Sequence, residues 1–181
     1  MEKNYLKSGK QTEITEEIRN ITETIHGEGL YFIVNALSWV EDNIKPEKES
    51  ENKNNLFRKR TADQIIKDGF STGCTDIALV FIAIARAKGI PTKYAEAIEK
   101  QWLKSTEENN IRGHIFAICF IDGQWFLIDP TMLLIHAKKV YPFHEIYAEG
   151  LDSWDIGIRS FEDLKEKFLG YREEHNKQGN F

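Results

Sequence analysis

Apolar residues recur at helical spacing through the first half of the chain and at alternating spacing further on. Ile14, Ile18, Ile21 and Ile25 stand four, three and four positions apart, which draws one stripe on a helix. Thr12 or Thr15, each followed by glutamates, offers its start. After a break at Gly27 and Gly29, the residues Leu30, Ile33, Val34, Leu37, Val40 and Ile44 repeat the stripe until Pro46 ends it. Both helices read as packing elements. A third, residues 75–88 (TDIALVFIAIARAK), is apolar almost all round and must be buried on most sides. Gly89 supplies its left-handed cap and Pro91 blocks continuation.

Downstream the period becomes two. Residues 93–99 (KYAEAIE) read as a strand, followed by a polar loop to Gly113. Residues 114–121 (HIFAICFI) form a fully apolar strand, Asp122-Gly123 a two-residue hairpin turn, and residues 124–129 (QWFLID) the antiparallel return. In this hairpin His114 opens one strand and Asp129 closes the other, so imidazole and carboxylate meet at one open end.

Cys74 stands at the front edge of the buried helix, after Gly73 and before Thr75 and Asp76. There it meets the positive end of the helix dipole and several unpaired backbone N–H groups. Such a place favours thiolate over thiol, and the same N–H groups suit the oxyanion of a tetrahedral intermediate. A free cysteine is usually a small buried hydrophobe, and Asp before Pro130 commonly begins a turn. The joint placement of a thiol, an imidazole and a carboxylate is what points to chemistry: it is the general plan of acyl transfer.

The charge balance narrows the partners. A formal charge of −5 lacks the basic footprint that nucleic acid requires and weakens attraction to an anionic membrane surface. No window approaches a membrane span, and the N-terminal residues hold no signal-peptide core. Two cysteines make no disulfide framework, so a reduced cytoplasmic setting is expected. The chain, residues 1–181, reads as one domain with one low-complexity stretch. That stretch, residues 45–60 (KPEKESENKNNLFRKR), reads as a solvated polar surface loop.

The two stretches STGCTDIALVFIAIARAKGIPTKY and GHIFAICFIDGQWFLIDPT resemble the core signature of the transglutaminase-like superfamily, which is related in fold to papain. Shared features are a Gly-Cys opening a buried helix, a Gly-Ile-Pro at its end, a His opening a strand and an Asp-Pro-Thr closing the next. Ser38-Trp39-Val40 also fits the family's lead-in, while Ile115-Phe116 replaces the Ala-Trp that many members carry after the histidine.

The resemblance, to a small member of bacterial type, implies an α+β fold: N-terminal helices and a buried Cys-bearing helix packed on an antiparallel sheet. It also implies Cys74 as nucleophile, His114 as general base and Asp129 as the orienting acid, acting on a peptide or protein amide without cofactor. Whether water or an amine resolves the acyl-enzyme, so whether the outcome is protease, amidase or transglutaminase action, stays open. The alternative is a catalytically silent binding module on the same scaffold.

Several further residues have plainer readings. Cys119 alternates to the sheet face opposite His114 and reads as core. His136 and His144 lack metal-ligand spacing, and the densest acidic run, residues 47–51, is broken by Lys48, so no metal is expected. Ser160 with Asp163 reads as a helix cap, and residues 151–158 as a turn packing Trp154. Gln64 is a weak candidate for a second oxyanion donor, and Trp39 reads as core.

Overall fold

The computed structural model describes residues 2–137 and 141–177. In chain order, a 3-10 turn precedes α1 (Glu16–Thr24), α2 (Gly29–Asn43), β1 (Lys45–Pro46), α3 (Ser50–Leu56), α4 (Ala62–Asp68), β2 (Phe70–Ser71) and α5 (Cys74–Ala87). The second half holds β3 (Thr92–Glu99), α6 (Lys100–Leu103), β4 (Gly113–Ile121), β5 (Gln124–Asp129), β6 (Leu134–His136), β7 (His144–Gly150) and α7 (Phe161–Lys177).

Strands β3 to β7 form one antiparallel sheet in the order β6-β5-β4-β3-β7. One face packs on α5, and α1, α2 and α4 wrap that helix from the other sides. Tyr94, Ile115, Ala117, Cys119 and Ile128 meet Leu79, Phe81 and Ile82 there, beside Ile18, Phe32 and Ile33 of the first two helices. The opposite sheet face holds Ala95, Ala97, Phe116, Ile118 and Leu127. A third cluster, Ile98, Trp102, Leu103, Leu164 and Phe168, seats α7. The α+β arrangement expected from the resemblance is therefore present.

Local signals account for the element ends. Thr15 caps α1, its hydroxyl accepting from the Ile18 N–H at 3.3 Å. Residues 122–123 both take positive φ, +49° and +82°, which matches the twist of the flanking strands in a two-residue hairpin. Ser160 and Asp163 exchange hydrogen bonds at 3.0 and 3.1 Å to start α7. Among the described residues, no helix is long and apolar enough to cross a membrane.

Two readings need correction. Residues 45–60 are not simply a solvated loop: they contain β1, which pairs in parallel with β2, the helix α3, and the deeply buried Arg58 and Arg60. Composition cannot separate a hydrated charge from a paired one, and these two arginines are drawn inward by buried carboxylates. Likewise the stretch after Glu99 is not wholly polar loop. It opens with α6, which buries Trp102 and Leu103, the indole lying 5.8 Å from the Phe168 ring.

Candidate active site

The turn into α5 is held by its own helix. Asp76, in the first turn of α5, accepts from the Thr72 N–H at 2.7 Å and the Thr72 hydroxyl at 2.8 Å through one carboxylate oxygen. Arg60 donates to the same oxygen at 2.6 Å, reaches Asp68 at 2.8 Å, and lies over the Phe70 ring. Residues 72–76 are thus pinned at both ends, which fixes Cys74 as the first residue of the helix. Cys74 is half-buried, with its thiol at the N–H-rich end of an almost fully enclosed helix.

Across from it, β4 and β5 pair with Ala117 opposite Ile128. Continued to the open end, this register sets Asp129 diagonally from His114, and His114 Nε2 lies 2.8 Å from Asp129 Oδ2. The other carboxylate oxygen accepts from the Thr131 and Met132 N–H groups, both at 3.1 Å, so the side chain is locked by the turn that follows it. Gly113 allows β4 to start where it does: a Cβ there would lie 2.6 Å from the Phe168 ring.

With Nε2 engaged, Nδ1 is left to face the thiol. Burial alone would lower the pKa of His114. Hydrogen bonds to Asp129 and then to Cys74, with the charges of both, outweigh it and raise the value to about 10. His114 therefore holds its proton through neutral pH, beside the thiol of Cys74. The raised folded-state value has a sign: the protonated ring's contribution to stability is complete below about 6.5 and lost as pH rises through about 10. We expect His114 ring nitrogen shifts in labelled protein to report imidazolium at pH 8, and Cys74→Ala or Asp129→Asn to lower that titration. A neutral ring at pH 7 in the parent protein would refute the raised value.

Aromatic groups shape the other side of the ring. Phe116 sets its edge against His114 at 4.9 Å between centroids, and His144 follows at 5.5 Å. Tyr141 stacks near both Phe116 and His144, and His136 meets Tyr141 at 5.3 Å. Burial first, then the charge of His114, lowers the pKa of His144, which keeps a second positive charge away from the site. Among the described residues no three His, Cys, Asp or Glu side chains gather as a metal-holding group.

Behind Cys74 lies a polar network absent from the sequence reading. Arg58 pairs with Glu96 through both guanidinium nitrogens at 2.8 and 2.7 Å. It also donates to the Tyr94 hydroxyl at 3.2 Å and to Ser153 at 2.9 Å, while Tyr94 donates to Glu96 at 2.8 Å. Burial opposes the charge on Arg58, yet Glu96, then Tyr94 and Cys74, more than offset it and raise its pKa. A permanent cation thus stands within electrostatic reach of Cys74. The Trp154 indole donates to the Arg58 carbonyl at 2.7 Å and closes the strap from outside.

One sequence signal could have found this network. In an alternating strand, Glu96 shares a face with Tyr94 and Ile98, and a carboxylate on a core face demands a cation. Nothing marked His144 as a neighbour of His114, or Tyr141 as the ring behind it.

The remaining candidates fall elsewhere. Gln64 closes the capping box of α4, its side-chain carbonyl accepting from the Thr61 N–H at 2.9 Å. Trp39 packs against the core. Cys119 is fully buried near Thr92, and burial pushes its thiol up to about 12. Iodoacetamide at neutral pH should therefore alkylate Cys74 at least about a hundredfold faster than Cys119. Mass spectrometry of partly labelled protein reports the site, and preferential labelling of Cys119 would contradict the assignment.

The fold has solved counterparts. A candidate cysteine protease from Cytophaga hutchinsonii superposes with a TM-score of 0.65 at 18% identity, over 86% of this chain and 48% of the other. A candidate protease from Parabacteroides distasonis aligns with a TM-score of 0.48 at 12% identity, over 78% of this chain and 30% of its own. The chain thus spans about half the length of the first and less than a third of the second. No curated protein sequence matches it significantly. The family model of the transglutaminase-like superfamily matches residues 12–130, a span that contains Cys74, His114 and Asp129 and more than half of the chain. The chain belongs to the transglutaminase-like superfamily.

Proposed function

We propose that the protein is a thiol acyl-transfer enzyme that acts on amide bonds of a peptide or protein. The observation that carries this reading is the 2.8 Å contact between His114 and Asp129 on the same ring that faces Cys74 at a helix N-terminus. In this reading the Cys74 thiolate attacks the amide carbonyl, and the oxyanion forms against the free N–H groups of α5. The His114 imidazolium gives its proton to the leaving nitrogen as the C–N bond breaks, which leaves a thioester and a neutral imidazole. The imidazole then takes a proton from the incoming water or amine as it attacks the thioester, and the thiolate departs. Asp129 holds the ring's orientation and offsets the imidazolium charge. Water as acceptor gives hydrolysis, and an amine gives transfer.

A peptide and glutamine-amide panel, incubated with and without an added primary amine, tests the reading. The expected result is a covalent adduct on Cys74 by intact mass, followed by free acid or amide product. An unmodified Cys74 with every substrate, together with no reaction toward a thiol-directed activity probe, would refute it.

A further inference from the structure

A groove of about 290 Å³ opens between the segment that carries Cys74 and the segment that carries Asp129. Ser71 and Ile77, three residues before and after Cys74, line one side. Pro130 and Leu133, just past Asp129, line the other, with Val40 and Ile44 of the α2 end between them. Its position is tied to the triad itself. The Asp129 carboxylate that meets His114 also accepts the two N–H groups that fold the turn leading to Leu133. The groove is therefore bounded by the two segments that carry Cys74 and Asp129.

We propose that this groove is a substrate subsite that takes one aliphatic side chain of the peptide whose amide bond Cys74 attacks. The inference rests on the acyl-transfer reading above and adds a specificity to it. The volume is at the small end of ligand pockets, enough for a single side chain. The lining is mainly apolar, and its one ionisable group, Glu41, disfavours an acidic residue there.

Leu133 supplies the independent sign. Its φ is +56°, a left-handed backbone that a bulky residue rarely adopts and that glycine adopts freely. The turn keeps a leucine there, with its side chain on the groove, although glycine would suit the backbone better. Strained residues of this kind gather at ligand-contacting positions.

Dipeptidyl fluoromethyl ketones test the subsite without an identified substrate, since they alkylate an active thiol and carry chosen side chains. Leu, Gly or Asp is placed in each of the two positions in turn, and iodoacetamide serves as the side-chain-free control. In one position the Leu probe should label Cys74 about tenfold or more faster than the Gly or Asp probe. Leu133→Gly should shrink that preference to within about threefold. Its iodoacetamide rate and melting temperature should match the parent or, for the latter, exceed it. Equal rates for Leu, Gly and Asp in both positions, with Cys74 still alkylated by iodoacetamide, would overturn the subsite and leave the nucleophile standing. An unchanged Leu preference in Leu133→Gly would overturn this location for it. A Cys74 that reacts with none of the reagents would overturn the acyl-transfer reading, and the subsite with it.

Discussion

Cys74→Ala and His114→Ala are each expected to lower activity by roughly 10⁴–10⁶-fold, and the double variant to lose little more. The reason is that thiol and imidazole act as one unit in the proposed mechanism. Removing either leaves the other without its proton partner, so the second removal has almost nothing left to take. Asp129→Asn is the finer probe. An amide keeps the size of the side chain and still satisfies the Thr131 and Met132 N–H groups, so the turn survives. It loses the charge that supports His114 and permits the wrong ring orientation, and the rate should fall by up to about 10⁴-fold. Thermal melts of all three variants within a few degrees of the parent would confirm that chemistry, not folding, was removed. Full activity in any of them would contradict the triad.

The largest effect on stability should come from breaking the pair behind the thiol. Arg58 and Glu96 are only 3% and 1% exposed, and each satisfies the other in two hydrogen bonds. Glu96→Gln or Arg58→Met alone strands a charge or its donors in the interior, which costs about 3–5 kcal/mol. Replacing both together, Arg58→Met with Glu96→Leu, strands no charge and should cost clearly less than either single change. Urea unfolding of the four proteins measures this directly. Single variants within about 1 kcal/mol of the parent would mean that water reaches the pair after all. The same double variant removes a fixed cation near Cys74, so it should slow alkylation even where the fold is kept.

The contrast between these sites shows what a sequence can display. The helix stripes, the all-apolar α5 and the hairpin were legible because each is local: period, cap and turn lie within a few residues of one another. The meeting of His114 with Asp129 was legible for the same reason, since a two-residue turn fixes the register across fifteen positions. Arg58 and Glu96 lie thirty-eight positions apart, and no local rule joins them. A charged run near residue 58 looks solvated until the fold brings a buried carboxylate to it. The aromatic surroundings of His114 were hidden likewise, because His144 arrives with β7 and Tyr141 with the segment just before it. Residues 100–103 failed for a smaller reason. A single turn of helix is too short to show a period, and its two apolar residues looked like loop.

Cys119 sits by Thr92 and within electrostatic reach of Arg86, at the far end of α5 from Cys74. Arg86 stands twelve positions after Cys74 on the helix, about 18 Å of rise. A disulfide needs the two Cα atoms within roughly 7 Å, so Cys119 cannot serve as a resolving thiol for Cys74. A peroxide that converts Cys74 to a sulfenic acid meets no internal partner to trap it at that reversible stage. Rescue must come from a small thiol in solution, or oxidation runs on to the sulfinic acid and the loss is permanent. The arrangement that isolates Cys119 in the core thus ties the working life of the site to the reducing capacity of its surroundings.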